Sequence, residues 1–238
     1  MLQRASSMTV DISVAAVLLT GFVLGLRHAL DADHLAAMAT FVSQEASVAR
    51  SCLLGTFWGI GHTAALLVAG GVTIAFKTTI SPAVESALES VVALVLIVLG
   101  VHVGLRALGG LRLHAHTHAH DGVLHRHAHV HLGGGGAHHH VHTTAIARRP
   151  LLMGVLHGLA GSAALMLLVL ATIPSPATAL LYVLVFGVGS TGGMVALSGL
   201  LGIPLALAAR SRSPRGYVVM QLAAGMATAV VGLMMALG

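Results

Sequence analysis

The chain has 238 residues, of which 56% are hydrophobic and only 8% are charged. A soluble domain carries about 25% charged residues, so this chain lacks the polar side chains to cover a water-facing surface, and lipid is the solvent that fits it. The formal charge of +5 does not point to nucleic acid, because the basic residues are scattered between apolar stretches. The one cysteine, Cys52, excludes internal disulfides and Cys-only metal sites.

Six apolar segments approach spanning length, at about 12–40, 52–76, 86–108, 150–173, 176–206 and 216–237. The first follows Arg4 and a few polar residues, as a signal peptide would, but it has no clear cleavage site and is expected to be retained. Its roughly 29 residues would reach ~43 Å as a helix, more than a bilayer needs. It is therefore expected to tilt, break or project past the membrane. This segment also holds Arg27, His28, Asp31, Asp33 and His34. Ionisable groups in a bilayer cost at least about 2.5–3.5 kcal/mol each on insertion scales and are functional by default. On a straight helix His28, Asp31 and His34 share an arc of about 120°, with Asp33 pointing away. Two imidazoles and a carboxylate suit a borderline divalent metal such as nickel, cobalt or zinc. The structural alternative is a pair between Arg27 and Asp31 at i,i+4, with the histidines bonding across helices.

The second segment reads WGIGHTAALLVAGG from Trp58 and places His62 and Thr63 mid-span. The third carries Glu89 near its start and His102 late, both expected near the headgroups. A polar stretch of about 40 residues follows. It holds twelve of the 17 histidines: His114, His116, His118, His120, His125, His127, His129, His131, His138, His139, His140 and His142. Alternating His-x-His and a run of four glycines have no core-forming pattern and predict a solvated, flexible segment that buffers metal. The fourth segment brings His157. The fifth reads FGVGSTGGMVALSG from Phe186, with Ser190 and Thr191.

The two halves resemble each other. Gly59, Gly61, Thr63 and Gly71 align with Gly187, Gly189, Thr191 and Gly199, and HALDADHLA from His28 with HGLAGSAAL from His157. Glu89 and Gly100 lie opposite Gln221 and Gly232, a weaker match. A three-span repeat crosses an odd number of times, so its copies must be inverted, a recurrent transporter design with substrate held at the midplane. The expectation is an all-α membrane protein of six transmembrane helices in two inverted three-helix repeats, 1–108 and 150–238, joined by a His-rich loop at 109–149. One side of the membrane receives Arg50, Arg106, Arg112, Arg126, Arg148, Arg149, Arg210, Arg212 and Arg215, and the other only Arg4 and Lys77. The richer side is expected to be cytoplasmic, which puts the loop inside and both termini outside a bacterial inner membrane. His28, His62 and His157 then fall between midplane and cytoplasm, with Thr63, Ser190 and Thr191 as candidate lining.

RHALDADH at 27–34 and GTFWGIGHT at 55–63 resemble the nickel/cobalt transporter family, and RPLLMGVLHGLAGSAAL at 149–165 and ATIPSPATALLYVLVFG at 171–187 are similar to its short urease-accessory-type branch. The resemblance implies that His28, Asp33 and His34 recognise metal, where the straight-helix argument chooses Asp31; a helix break near Leu30 would reconcile the two. In that family the motif helix is normally the second, whereas here it is the first. The expected function is passage of nickel(II) or cobalt(II) as substrate, without a catalytic cofactor, by a non-enzymatic carrier with uptake as the leading direction. Export, and metal donation to urease or hydrogenase maturation, are the alternatives. Cytoplasmic nickel chaperones are the expected downstream partners. No G-x-x-x-x-G-K-[ST] motif is present, so a gradient is the expected energy source.

Overall fold

The structure is a computed structural model. It describes the backbone of residues 2–78, 81–109, 113–120, 123–130, 143–160, 173, 175–210 and 214–238, and side chains within 14–78, 81–109, 147–160, 173, 175–208 and 215–238. Among the described residues there are seven helices and one hairpin. Helices α1 (Leu2–His28), α2 (Ala32–Val42), α3 (Val48–Phe76) and α4 (Pro82–Gly109) precede strands β1 (Leu113–His120) and β2 (Val123–Val130). Helices α5 (Thr143–Leu159), α6 (Pro176–Arg210) and α7 (Pro214–Leu237) follow.

Four stretches are long and apolar enough to cross a bilayer: Val48–Phe76, Pro82–Gly109, Pro176–Ala208 and Arg215–Leu237. Val14–His28 and Ala32–Val42 qualify together as a fifth span bent by 56°. Of the fourth predicted span, 150–160 are described and 161–172 lie outside the described residues. The outer faces are apolar: Leu19, Val68, Leu94, Leu105, Leu200 and Met226 are all more than half exposed. Such a surface is stable against acyl chains and unstable against water.

The first predicted span is interrupted, and the reason is local. At the end of α1 the helix tightens, with the Leu30 amide donating to Arg27 O at 2.9 Å and the Asp31 amide to His28 O at 3.1 Å. Asp31 then adopts an extended backbone (φ −62, ψ 147) as the N-cap of α2. Its carbonyl accepts from the Leu35 amide at 2.9 Å. The Asp31 side chain makes no capping hydrogen bond, and Asp33 in the first turn complements the positive end of the new helix.

The helices approach through glycines. α3 packs along α6 and α5, α1 along α6, and α4 along α7. A methyl group at Gly25 would strike Phe186 O and Ser190 N, and one at Gly154 would strike Trp58 O and His62 N. These are the same contact made twice, at sequence offsets of 128 and 129. In the outer pair, Gly100 meets Gly225 O and Ala229 N, while Gly232 meets Ala93 O and Ile97 N, at an offset of 132. Between the halves, Thr63 and Thr191 hydroxyls lie 3.1 Å apart, and each covers the other half's glycine, Gly187 and Gly59 respectively. Close backbone approach through small residues is how helices associate where lipid removes the hydrophobic drive.

The hairpin corrects one expectation. Part of the His-rich tract, expected to be solvated and flexible, pairs as antiparallel strands in the register His114↔His129, His116↔His127 and His118↔His125, while 131–142 lie outside the described residues. Alternation at every second residue is a strand period.

Candidate metal site

The site is assembled where α1 breaks. His28 ends α1, Asp33 and His34 open α2, His62 comes from the middle of α3 and His157 from the last turn of α5. Ring centroids are 4.5 Å apart for His28 and His34, 5.1 Å for His28 and His62, 5.3 Å for His34 and His62, and 5.0 Å for His34 and His157. His34, His62 and His157 are buried. The Asp33 carboxylate reaches His34 Nδ1 at 3.1 Å through Oδ1 and His157 Nε2 at 3.6 Å through Oδ2.

The hydrogen-bonding capacity left over is the informative part. Nε2 of His28, Nε2 of His34, and both ring nitrogens of His62 and His157 are buried without a hydrogen-bond partner. Buried polar atoms without partners are rare and costly. Here six of them lie on four rings whose neighbouring centroids are 4.5 to 5.3 Å apart. Neutral imidazole lone pairs are ligands for divalent transition metals. Ligand atoms of His28, His34 and His62 lie within 4.8 Å of one another, and so do those of Asp33, His34 and His157.

Asp31 and Asp33 have different surroundings. Asp33 borders the cluster, whereas Asp31 lies outside both three-residue groups and its side chain is 54% exposed. The Asp31 Oδ2 accepts from His28 Nδ1 at 2.7 Å. That bond fixes Nδ1 as the protonated nitrogen and leaves Nε2 with the lone pair, the orienting role a carboxylate has behind a metal-bound histidine. The Arg27–Asp31 pair of the structural alternative gives way to this bond because the helix break removes the i,i+4 register. Thr63 Oγ1 donates to Gly187 O at 3.1 Å, so Thr63 and Thr191 serve the contact between α3 and α6. Ser190 Oγ is buried and without a partner. His114, His116, His118, His120, His125, His127 and His129 lie on the paired strands, and His131, His138, His139, His140 and His142 lie outside the described residues.

Two features escaped the sequence reading. Trp58 is fully buried, lies against His157 with a centroid distance of 5.1 Å and the rings tilted by 53°, and has an unpartnered Nε1. Nothing in an apolar span marks such a residue as a site wall. The second feature is a hydroxyl clamp holding α2. Thr228 Oγ1 donates to Ala36 O at 2.6 Å and lies 2.5 Å from Thr40 Oγ1. Gln221 Nε2 donates to Ser43 O at 3.1 Å. Polar residues recurring within α7 were the available signal.

Residues 14–237 match the family described as high-affinity nickel-transport protein. The urease accessory protein UreH of Bacillus sp. (strain TB-90) is 37% identical over 200 residues, which cover 84% of this chain and 82% of that protein. No solved structure matches the chain. A match over nearly the whole length, joined to apolar helices around a buried histidine cluster, makes this chain a member of the high-affinity nickel-transport protein family: a multi-pass membrane transporter and not an enzyme.

Proposed function

We propose that the chain is a gradient-driven permease that carries nickel(II), and cobalt(II) as a chemically similar ion, into the cytoplasm across a bacterial inner membrane. The observation that carries the reading is the set of unpartnered imidazole nitrogens buried between α1, α2, α3 and α5. A dication coordinated there would recover the desolvation cost of those groups. His28, Asp33, His34, His62 and His157 are the ligand-bearing residues, and Asp31 orients His28. The ion is substrate, so it must leave as readily as it binds, and a partial shell completed by water suits that better than a closed cage. Ser190 Oγ and Trp58 Nε1 are available to hydrogen-bond such waters.

The repeated glycine contacts support two inverted halves, 1–108 and 150–238, moving against each other about the Thr63–Thr191 contact. The arginine distribution supports the His-rich segment 109–149 as cytoplasmic, where it would buffer arriving metal and pass it to nickel chaperones. The same tract favours a second reading, export, since it would capture excess cytoplasmic ion.

Radionickel flux into proteoliposomes under an imposed potential tests the permease. Loss of flux in an Asp33→Ala, His34→Ala double variant is expected, and unchanged flux removes the site. Direction is read from a deletion strain in high nickel: loss of an importer protects the cells, and loss of an exporter sensitises them.

A further inference from the structure

The five ligand-bearing residues do not form one shell. Donors on a common ion at about 2.1 Å each lie at most roughly 4.2 Å apart. Within the 4.8 Å limit, a small adjustment from that geometry, the described residues make two groups of three, His28–His34–His62 and Asp33–His34–His157. No larger set among them meets it. His34 belongs to both. A neutral imidazole has one proton and one lone pair on its two nitrogens, so His34 ligates one ion at a time.

We propose that the site is two alternative coordination stations sharing His34 as a pivot, and that the cation moves between them by exchanging His28 and His62 for Asp33 and His157. This rests on the permease reading above. Each station has one partly accessible member and two buried ones. The His28 side chain is 11% exposed and Asp33 24%, while His34 and His157 are at most 2% exposed and His62 is fully buried. The ion can thus be passed through a closed centre that never loses its grip, because His34 stays bound while the other two ligands change. The stations differ in charge. Three imidazoles leave the dication its full charge, whereas the Asp33 carboxylate lowers the net charge by one unit. In a surrounding of low dielectric that difference favours the Asp33 station. Transfer is therefore downhill in one direction, and a gradient or a second ion must empty the tighter station.

The test uses the full-length protein in detergent with cobalt(II) as probe, because its visible absorption reports ligand type. Equilibrium dialysis gives the stoichiometry and difference absorption the ligand type, each counted for the buried cluster as the excess over a full-length variant that keeps the His-rich tract and replaces all five cluster ligands (His28→Gln, Asp33→Asn, His34→Gln, His62→Gln, His157→Gln). Gln at position 62 or 157 keeps the volume of the buried side chain, so the fold is retained where Ala would leave a cavity. Wild type is expected to bind one ion per chain. His62→Gln should still bind one, with a mixed nitrogen–oxygen spectrum and affinity near wild type. His157→Gln should bind one with an all-nitrogen spectrum, at least about tenfold more weakly, since a unit charge beside a dication is worth more than that factor. His34→Gln should bind none at the same concentrations, and none of the three should transport. If His62→Gln and His157→Gln both lose binding as completely as His34→Gln, there is one site and the two-station scheme is overturned while the permease stands. Two ions per wild-type chain would also overturn it, by removing the shared pivot. If wild type binds no cobalt and His34→Gln transports normally, both this scheme and the permease reading fail.

Discussion

At the scale of single residues, the two aspartates of the HALDADH segment separate into different tasks. Asp33 sits 3.6 Å from His157 and bonds His34, so it is the carboxylate within the candidate ligand groups. Asp33→Asn keeps the size and loses the charge, and nickel flux is expected to fall to background in the liposome assay. Asp31 acts through His28. Removing an orienting partner of a metal-binding histidine costs about 10–100-fold in affinity, so Asp31→Asn should weaken nickel binding by about tenfold, read by calorimetry, while leaving the stoichiometry unchanged. Proton competition follows from the ligand type. An imidazole binds metal only as the neutral base. Acidification on the side from which the ion is loaded should therefore weaken binding, with the apparent Kd for nickel rising as pH falls. A Kd that is flat between pH 8 and 5 would contradict coordination by histidine.

At the scale of elements, the break between α1 and α2 is what makes the site. A continuous helix would have aimed Asp33 away from His28 and His34. With the chain turning by 56°, the first turn of α2 faces the cluster. The short α2 is held from behind by Thr228 and Thr40 on the Ala36 and Ala224 carbonyls. Thr228→Val leaves buried groups unpaired and should lower stability by about 1–3 kcal/mol. The readouts are thermal unfolding together with a weakened nickel Kd, because α2 carries two of the ligand-bearing residues. Gly154 is a different case. Any side chain there meets the backbone of α3 at Trp58 and His62, so the helices must separate. Gly154→Val is expected to destabilise by about 1–3 kcal/mol or more and to displace His62 relative to His157. A variant that unfolds like wild type and transports normally would show that the approach is not needed.

At the scale of the whole molecule, the candidate metal cluster and the His-rich hairpin come from different parts of the chain, the hairpin lying between α4 and α5 in sequence. The membrane helices make the repeated glycine contacts without the hairpin. Deletion of residues 113–142 is therefore expected to leave liposome flux largely intact and to reduce the number of ions bound per chain. Loss of flux in the deletion would instead assign the tract a place on the pathway. The proposed topology makes its own demand: a reporter fused after Gly238 and active only outside the cytoplasm should be active.

Much of this was legible in the sequence. Composition dictated the membrane, because 8% charge cannot solvate a surface of this size. Charges inside the first apolar segment marked the site, because lipid makes each of them costly, and the aligned glycines marked the close contacts, because only glycine permits them. The tertiary structure decided what depends on direction rather than on spacing. Which aspartate faces the histidines depended on a change of helix axis at Asp31, and a wheel drawn on a straight helix has no means of showing it. That His62 and His157 join His28 and His34, with Trp58 as a wall, depended on how α3 and α5 pack, since residues far apart in the chain become neighbours only when their backbones touch.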